Sequence, residues 1–562
     1  MRKFLPLIVL AVFATAALLP GATKAPHRAA RVTLSAQALA HPNADAITSG
    51  ELQDWLYFIA SDELQGRNTP SNGLNTAALF IASHLAEWGV QPAGDPGAGP
   101  GPLAAYFQPI ALTRLRYDRK QSQIRVGGRE FGLGDGFVPA RGAAPSGQFA
   151  GGLVYVGNGY WIKGQADPYQ GLDVKGKFLI VAGTAPRESE LTGKEGEDWM
   201  SPMDVVRERG ALGIIQVPTF RILSFWPYFA AGLEQGVVSV DAFNPAGSAP
   251  MVLASPALVA AIFAGEKAGG QAIFDGAENN QLPAPFALSA EKTLSLTLVG
   301  EAEPLRTQNV IGIVEGSDPQ LKHQYVVIGA HYDHVGIGRP VNGDDIYNGA
   351  DDDGSGTDAN LALAEAFARG PRPKRSILFI WHAGEEKGLW GSRYFTTHPT
   401  VPLADVVTEL NMDMLGRSKA AGDTDPRDAK LTGHDEIYTI GPNISSDQLG
   451  GIADAVNSQF LGISFNHLYD NTTDPQRFFY RSDHFNYARQ GIPILFFFDG
   501  VHRDYHQPSD SPDKIDYVKL QNVARTVYAV AWALAEEPGR PALNATLPPA
   551  LVTAMEQAKA GR

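Results

Sequence analysis

Acidic and imidazole side chains follow several apolar runs in the C-terminal half of the chain, each at the point where a buried strand would end. In chain order these side chains are His331, Asp333, Asp351, Asp352, Asp353, Glu385, Glu386, Asp413 and His506. Imidazole and carboxylate are ligands that suit Zn²⁺ without any thiolate. Two such ions, about 3.5–4 Å apart, form a clamp for hydrolysis, and three carboxylates with one hydroxide would balance their charge. This set of residues therefore favours a site for two metal ions.

The absence of cysteine from the chain narrows the chemistry further. Thiolate-held metals and cysteine nucleophiles are excluded, so a metal must be held by histidines and carboxylates. Without a metal, so many acids in one cleft would have to repel one another or become protonated. The adjacent Glu385 and Glu386 are the clearest case, because without a metal their two carboxylates would repel each other.

Taken singly, each of these residues has an ordinary structural explanation. Asp413 at a strand end could cap a turn, His331 could be a core histidine with satisfied hydrogen bonds, and His506 could be a surface residue. The three aspartates could form a solvated turn, although the alternation and the final glutamate of an EF-hand calcium loop are absent. Their common order after successive strands is what favours a shared site.

The apolar pattern predicts the elements that position these residues. Strands are predicted at 324–330, 376–381, 405–414 and 492–498, and a helix at 358–370. Strands that alternate with helices indicate an α/β fold with a mainly parallel mixed sheet, covered by helices on both faces. Ligands bind beyond the carboxyl ends of such strands, where the acids and histidines would converge. We assign this catalytic domain to residues 301–540.

The rest of the chain divides into segments of different character. Residues 49–130 begin with helical periodicity and are interpreted as the N-terminal part of the same domain. Residues 131–300 alternate short β-type runs with turns and contain no group of acids and histidines with ligand spacing, so we interpret them as a separate module without chemistry of its own. Residues 26–48 are interpreted as a flexible leader and 541–562 as a C-terminal tail.

The N-terminus predicts export. Arg2 and Lys3 precede an apolar stretch that ends near Leu19 and is followed by small residues, which is the layout of a secretory signal. The stretch is short for a transmembrane anchor, so we predict a signal peptide at 1–25 and no stable membrane span after its removal. The protein would then be periplasmic or secreted. A formal charge of −14 argues against nucleic acid as a partner, because phosphate binding needs a basic surface.

Six motifs in the C-terminal half resemble, in the same order, the motif set of peptidase family M28. They are "GAHYDHVG", "NGADDDGSGT", "AGEEKGLWGS", "NMDMLGR", "RSDHF" and "YHQPSD". The family comprises co-catalytic zinc peptidases, among them secreted aminopeptidases and glutamate carboxypeptidases, and the resemblance covers about 307–535. The segment 49–90 resembles the N-terminal helices of the family. Within 131–300, "DVKGKFLIV" and "RGALGIIQV" resemble, less specifically, the β-rich protease-associated (PA) domain inserted in many members.

This resemblance implies the zinc-peptidase type of α/β fold, which is phosphorylase/hydrolase-like, and two Zn²⁺ per chain. His331 and Asp413 would hold one ion, and Glu386 and His506 the other. Asp352 would bridge both ions, and the peptide bond after this residue is often cis in the family.

The resemblance also implies catalytic roles. Glu385 would be the general base that takes a proton from water and passes it to the leaving amine. Asp333 would orient the imidazole of His331, and Asp510 could do the same near His506 or could stand in a turn. Tyr480 would donate a hydrogen bond to the developing oxyanion.

Several alternatives remain to be separated. For a single exported chain with such an insert the family favours an aminopeptidase that acts on peptides, whereas a glutamate-carboxypeptidase-like enzyme would need an arginine for the substrate carboxylate. Arg481 and Arg503 lie near the motifs. A non-catalytic receptor-like member is disfavoured, since all five ligand positions and the base are filled. A carboxypeptidase-type H-x-x-E site at His382 would leave the aspartate loop without a role, and no G-x-S-x-G motif supports a serine hydrolase.

Overall fold

The computed structural model describes residues 30–140, 144–186, 190–191, 193, 195–243, 249–279 and 281–560. The predicted signal peptide at 1–25 lies outside these residues. Among the described residues, no helix is long and apolar enough to cross a membrane. The chain forms two large sheets, and most of the second is built from the segment that joins two neighbouring strands of the first.

The helices and strands follow one another in three groups. The first group is α1 (Ser49–Ile59), α2 (Asn72–Glu87), β1 (Gln91–Pro92) and β2 (Phe107–Tyr117). The middle group is β3 (Gln123–Val126), β4 (Arg129–Gly132), β5 (Phe137–Pro139), β6 (Gly147–Tyr155), β7 (Trp161–Ile162), β8 (Lys177–Ala182), β9 (Trp199–Met200), α3 (Pro202–Arg209), β10 (Gly213–Val217), α4 (Phe220–Ser224), α5 (Trp226–Gly232), β11 (Val237–Val240), β12 (Met251–Ala254), α6 (Pro256–Ile262), α7 (Gly270–Asn279), β13 (Phe286–Ala287) and β14 (Leu294–Leu298). The last group is β15 (Gly300–Val314), β16 (Tyr325–His331), β17 (Gly336–Val341), β18 (Asp344–Tyr347), α8 (Gly356–Arg369), β19 (Ser376–His382), α9 (Trp390–Thr397), β20 (Val406–Met412), β21 (Glu436–Ile440), α10 (Pro442–Ser445), α11 (Asp447–Asn457), β22 (Ser464–Asn466), α12 (His484–Ala488), β23 (Ile494–Phe498), α13 (Tyr517–Glu536) and α14 (Pro549–Ala560).

The first sheet, which we call the catalytic sheet, has the strand order β11-β2-β15-β19-β16-β20-β23-β21-β22, with β1 beside β15. Its centre, from β19 to β23, is parallel. On one side β15 and β2 run antiparallel, and on the other side β21 runs antiparallel to β23. The α/β fold with a mixed sheet is thus confirmed, and its parallel part is the centre of the sheet.

Helices cover both faces of the catalytic sheet, as the sequence predicts. Every residue of β19 is buried, and alternate side chains enter two different cores. Phe379 and Trp381 pack under α1, α2, α8, α11 and α13, whereas Leu378 and Ile380 pack on the side of α9, α12 and α14. Burial of each such side chain contributes about 1.5–3 kcal/mol. A strand buried on both faces reads as a continuous apolar run, which is why β19 and β20 could be predicted from the sequence.

The second sheet, which we call the insert sheet, has the order β4-β3-β14-β6-β8-β10-β12-β5, with β13 beside β6. Helix α3 packs on one of its faces, and α6 and α7 pack on the other. The sheet spans residues 123–298, so it begins shortly before the predicted boundary at 131. It carries helices as well as strands, and the identification of this unit as a PA domain stays a prediction. One strand of the segment, β11, leaves the insert sheet and pairs with β2 of the catalytic sheet.

The two ends of the chain differ from the sequence interpretation. The described part of the predicted leader, residues 30–48, packs against the catalytic domain, because Ala38, Ala44 and Ile47 are buried in its core and Trp532 donates a hydrogen bond to the carbonyl of Gln37. The predicted tail at 541–562 contains α14, whose Leu551 is buried. Short apolar residues in these segments lack clear periodicity, but they still bury enough surface to dock.

Candidate metal centre

The predicted ligands lie together at the carboxyl ends of the central parallel strands. His331 is the last residue of β16, Glu386 follows β19, and Asp413 follows β20. Asp352 lies in a π-helical turn, Ala350–Ser355, which leads into α8. His506 lies in the loop after β23. Parallel strands place these ends at one edge of the sheet, which is the physical reason that residues far apart in sequence meet here.

Two groups of side chains share Asp352. On one side His331 Nε2 lies 3.4 Å from Asp352 Oδ1 and 3.6 Å from Asp413 Oδ1. On the other side His506 Nε2 lies 3.1 Å from both Asp352 Oδ2 and Glu386 Oε2. The two oxygens of Asp352 therefore point to different groups, as a bridging carboxylate requires. The peptide bond between Asp352 and Asp353 is cis.

The three consecutive aspartates have different surroundings, and only the middle one is shared in this way. The carboxylate of Asp351 accepts the amide of Gly416 and contacts His502 Nε2 at 3.2 Å. The carboxylate of Asp353 accepts the amides of His331, Gly356 and Met414. Asp353 thus joins the ends of β16 and β20 to the turn, although it lies close enough to His331 and Asp413 to be counted with them as a metal-holding group.

The adjacent glutamates diverge. The carboxylate of Glu386 joins the metal-holding group, whereas that of Glu385 faces the cavities beside it. Burial and the Asp352 charge act to raise the pKa of Glu386, but the imidazoles of His334 and His506 lower this pKa to about 2. Burial raises the pKa of Glu385 well above its ordinary value; His331 opposes this, while the charges of Glu386 and Asp413 add to it. One acid is therefore a ready anion, and its neighbour has an affinity for a proton.

Buried atoms without partners indicate what the site accommodates. His331 Nε2, His506 Nε2 and Asp352 Oδ2 are buried and have no hydrogen bond of acceptable geometry within the described residues. Buried polar atoms are normally hydrogen-bonded, so this concentration of orphaned nitrogen and oxygen atoms in one place is unusual. Imidazole nitrogen and carboxylate oxygen form the donor set of zinc and similar divalent ions. The residues present fit two such ions that share Asp352.

Two residues near the ligands were missed by the sequence analysis. His334 is fully buried, and its Nδ1 lies 2.8 Å from Glu386 Oε1, the oxygen turned away from His506. The ring of Tyr505 stacks on that of His506 at 4.0 Å, and Tyr505 lines a small cavity together with Asp352, Glu385 and Asp413. Both stand inside quoted motifs, "HYDH" and "YHQ", so their proximity to predicted ligands was the available signal.

A third missed residue comes from the distant N-terminal segment. Arg67 is fully buried, and its guanidinium donates to the carbonyls of Tyr332, Asn348 and Gly349, as well as to that of Ile59. The carbonyls of Tyr332, Asn348 and Gly349 belong to the loops that carry His331 and Asp352. Arg67 thus fixes both loops in place, and no sequence motif marked it.

The remaining predicted residues are placed as follows. His331 Nδ1 lies 3.1 Å from the carbonyl oxygen of Asp333 and 3.7 Å from its carboxylate, which accepts the amide of Glu385. Asp333 therefore contacts both a ligand and the predicted base. Tyr480 is half-buried and lines the larger cavity beside Glu385 and Glu386.

Two further candidates lie elsewhere. Asp510 accepts the amides of Asp351 and Asp352, so it positions the aspartate turn rather than His506. His382 is buried with its Nε2 at 3.2 Å from the hydroxyl of Tyr487, and it is in neither metal-holding group among the described residues. The rival site at His382 has no support from this geometry.

Comparison with known proteins finds similarity over the part of the chain that contains these side chains. Residues 309–531 match the family model described as "Peptidase family M28". A "Probable zinc metalloprotease" of Pyrenophora teres f. teres (strain 0-1) is 27% identical over 249 residues, which cover 42% of this chain and 50% of that protein. A "Probable leucine aminopeptidase" of Arthroderma otae is 27% identical over 257 residues, which cover 41% of this chain and 64% of that protein. The chain thus spans between half and two thirds of the length of these curated relatives.

A solved structure shows the same fold. The "Aminopeptidase from Aneurinibacillus sp. strain AM-1" aligns with 90% of this chain and 97% of its own, with a TM-score of 0.50 and 18% sequence identity. The alignment therefore includes the region of the insert as well as the catalytic domain.

Proposed function

Because residues 309–531 match the model of peptidase family M28, we propose that the protein is an exported zinc aminopeptidase that releases N-terminal residues from peptides with two zinc ions. The observation that carries this proposal is Asp352, whose two carboxylate oxygens face two separate groups of nitrogen and oxygen ligands. Zinc follows from the family and from the ligand chemistry.

The residues that would hold the two ions are those brought together at the strand ends. His331 and Asp413 would hold the first, Glu386 and His506 the second, and Asp352 both. Bound zinc supplies a Lewis acid and makes hydroxide available from water near neutral pH. His334 Nδ1 lies 2.8 Å from the second oxygen of Glu386. Because His334 forms one metal-holding group with Asp352, Glu386 and His506, its imidazole would help to hold the second ion.

Glu385 would carry the proton. It is partly buried at the wall of the cavity, and within the described part of the chain it is in neither ligand group. The raised pKa of its carboxyl lets it take a proton from water and keep it long enough to deliver it to the amine that leaves. Its amide is held by Asp333, so the chain direction at this point is fixed.

A tyrosine would stabilise the substrate oxygen as it gains negative charge. Tyr505 shares its small cavity with Asp352, Glu385 and Asp413, whereas Tyr480 lies in the larger cavity beyond Glu385. We therefore place Tyr505 ahead of Tyr480 for this role. A phenol that donates in a water-poor site is worth about 10²–10³-fold in kcat.

A glutamate-carboxypeptidase-like activity is the second candidate, and it depends on Arg481. Arg503 pairs with the carboxylates of Asp423, Asp425 and Asp428 and lines neither cavity beside Glu385. Arg481 instead lines both cavities beside Glu385. A matched panel of free and N-blocked peptides, with product analysis at both ends, separates the two activities; cleavage of only the N-blocked peptides would favour the carboxypeptidase.

The glutamate pair gives the sharpest test of the proposal as a whole. Glu385→Gln should keep both zinc ions and lose about 10²–10⁴-fold in kcat, the usual contribution of a general base. Glu386→Gln should lose zinc from one site. Zinc per chain is measured by elemental analysis after dialysis, and turnover with leucine p-nitroanilide. An empty zinc site in Glu385→Gln, with full turnover per bound ion, would show that the two roles are assigned wrongly.

A further inference from the structure

The larger cavity beside Glu385, of about 1110 Å³, is lined by three cationic side chains. They are Lys387, Arg393 and Arg481, and all three are exposed. Among the residues that the structure describes, none of the three forms an ion pair with a carboxylate. In a chain whose formal charge is −14, three unpaired cations around one cavity are a local excess of positive charge, and such an excess attracts anionic ligands.

The acidic side chains of this cavity are confined to the metal centre. Within the described part of the chain, the acids in its wall are Glu385, which we propose as the base, and Glu386, which belongs to the second ligand group. The insert contributes strand β11 and Phe243 to the wall, and none of these residues carries a charge. Away from the two glutamates, the charge of the wall is therefore positive.

The three cations lie at different distances from the metal centre. Arg481 lines both the larger cavity and the small cavity that contains Asp352 and Asp413, so it stands where the two meet. Lys387 and Arg393 line the larger cavity but not the small one. The positive charge therefore begins at the boundary between the cavities and extends away from the ligands.

Aromatic rings hold the two arginines in position. The guanidinium of Arg393 lies over the ring of Phe243 at 4.0 Å, and that of Arg481 lies over the ring of Phe478 at 4.8 Å. A nitrogen of Arg481 also lies 3.4 Å from the hydroxyl of Tyr505. Stacking uses the face of a guanidinium and leaves the N–H groups at its edge available, and these groups match the two oxygens of a carboxylate.

The two cavities can take the two parts of a peptide on either side of the cleaved bond. The small cavity holds the proposed ligands Asp352 and Asp413, and apolar side chains form much of its remaining wall, so it suits the N-terminal residue. Glu385, which would deliver a proton to the leaving amine, lines both cavities. The leaving part of the peptide would therefore lie in the larger cavity, among the cations.

We propose that Lys387, Arg393 and Arg481 form a subsite for a carboxylate on the leaving part of the substrate. The proposal rests on the aminopeptidase function and specifies its substrate class. The carboxylate is either the free C-terminus of a short peptide or an acidic side chain close downstream of the cleaved bond, and both present the same group to the cations. Pairing of opposite charges at an open cavity steers and strengthens binding, and salt screens it.

The test compares acidic and neutral peptides of equal length with the zinc-loaded, full-length protein. Leu-Ala, Leu-Ala-Ala and Leu-Ala-Ala-Ala are each compared with their C-terminal amides, which locates a C-terminal carboxylate. Leu-Glu-Ala-Ala-amide and Leu-Ala-Glu-Ala-amide are compared with their glutamine counterparts, which locates a side-chain carboxylate. In at least one pair we expect kcat/KM to be about tenfold higher for the acid at about 0.01 M salt, and less than about threefold higher at about 1 M salt.

Variants of two cations test the protein side. Lys387→Gln and Arg393→Gln should each lower the ratio of kcat/KM for the acid to that for its neutral partner about threefold, and the double variant should bring the ratio close to one. Lys175→Gln is the matched control, because Lys175 is an exposed lysine of the insert that lines neither cavity beside Glu385; it should keep the parent ratio. Because each ratio is taken within one variant, a loss of folded protein cancels from it.

Each other outcome counts against the subsite. A ratio near one for every pair at low salt, a ratio that is unchanged at about 1 M salt, or a parent ratio in the double variant would each overturn it. Release of leucine from leucine p-nitroanilide, which carries no carboxylate, reports the aminopeptidase function separately. Loss of that reaction would defeat the proposed function, whereas its presence with equal kcat/KM for acids and their neutral partners would defeat the subsite alone.

Discussion

Substitution of Arg67 tests whether the metal centre depends on an anchor from outside its own motifs. The guanidinium donates to four carbonyl oxygens, those of Ile59, Tyr332, Asn348 and Gly349, at 2.5–2.9 Å. Arg67→Met removes all four donors while leaving an apolar side chain of similar length. A buried carbonyl that loses its partner costs about 1–3 kcal/mol.

The expected loss of stability follows from these four contacts and is reduced by two compensating effects. Four lost partners would cost about 4–12 kcal/mol if nothing relaxed, but the variant also avoids burying a charge, and loops adjust. Removal of one partner from a buried charged network costs about 3–5 kcal/mol in practice, and we expect Arg67→Met to fall in that range. Arg67→Lys keeps the charge but has three donors for four carbonyls, so it should lose at least one bond, or about 2 kcal/mol.

The assay is urea denaturation of the zinc-free protein, followed by tryptophan fluorescence, together with zinc affinity. Arg369→Met is the matched control, because Arg369 is 58% exposed and pairs with Glu365 one helical turn away; it should change stability by less than about 0.5 kcal/mol. Zinc affinity should also fall in Arg67→Met, since three of the four carbonyls, those of Tyr332, Asn348 and Gly349, lie in the loops of His331 and Asp352. A loss below about 1 kcal/mol, with normal zinc affinity, would refute the anchoring role.

Three further predictions follow from the site and its surroundings. His334→Gln should weaken binding of one of the two zinc ions about 10–100-fold, measured by competition with a chelating dye, because the group that His334 forms with Asp352, Glu386 and His506 loses one of its imidazoles; equal affinity for both ions would contradict this. Tyr505→Phe should lower kcat about 10²–10³-fold with little change in KM or zinc content, whereas a normal kcat in Tyr505→Phe together with a low kcat in Tyr480→Phe would reverse the assignment of the two tyrosines. Burial and the nearby carboxyl of Glu365 raise the pKa of Glu51 from 4.5 to about 7, so the folded protein keeps a proton that the unfolded chain releases, and stability is lost as the pH rises between these values. Glu51→Gln should therefore be more stable than the parent by about 1 kcal/mol near pH 8, a figure reduced for partial exposure, and equal to it near pH 4, by urea denaturation at both pH values; a gain at acidic pH instead would refute the sign.

The part of the site that could be predicted from sequence is the part governed by strand order. An acid or imidazole that directly follows a buried parallel strand has little freedom of position, so His331, Glu386 and Asp413 could be placed together before any contact was known. Strand order alone could not identify Asp352 as the shared ligand, because three aspartates are adjacent and only their separate partners distinguish them. The resemblance to the M28 motif set selected the middle one, and the divergence of its two oxygens gives the selection a physical basis.

The features that escaped prediction depend on contacts between distant segments. Arg67 lies 265 residues before its partner Tyr332. The sequence around a single arginine in a helical segment does not indicate which carbonyl groups its guanidinium will contact. The pairing of β11 with β2 instead of the insert sheet is likewise a tertiary choice, since both alternatives would satisfy the same short apolar run. Residues 30–48 were interpreted as flexible because they lack periodicity, although periodicity is not needed for a segment that is held by isolated contacts.

The roles that we propose for Glu385 and Glu386 give two consecutive residues separate purposes. Side chains of neighbouring residues after a strand point in different directions, so Glu386 reaches the ligand group while Glu385 stays at the cavity wall. His334 and His506 favour the anionic form of one acid, and burial beside that anion favours the protonated form of the other. Asp333 ties this arrangement to the first metal group, because its carbonyl contacts His331 and its carboxylate holds the amide of Glu385. In the proposed function, Asp333 would therefore set the distance between the base Glu385 and the ligand His331, and the adjacency of Glu385 and Glu386 would keep proton transfer beside metal binding.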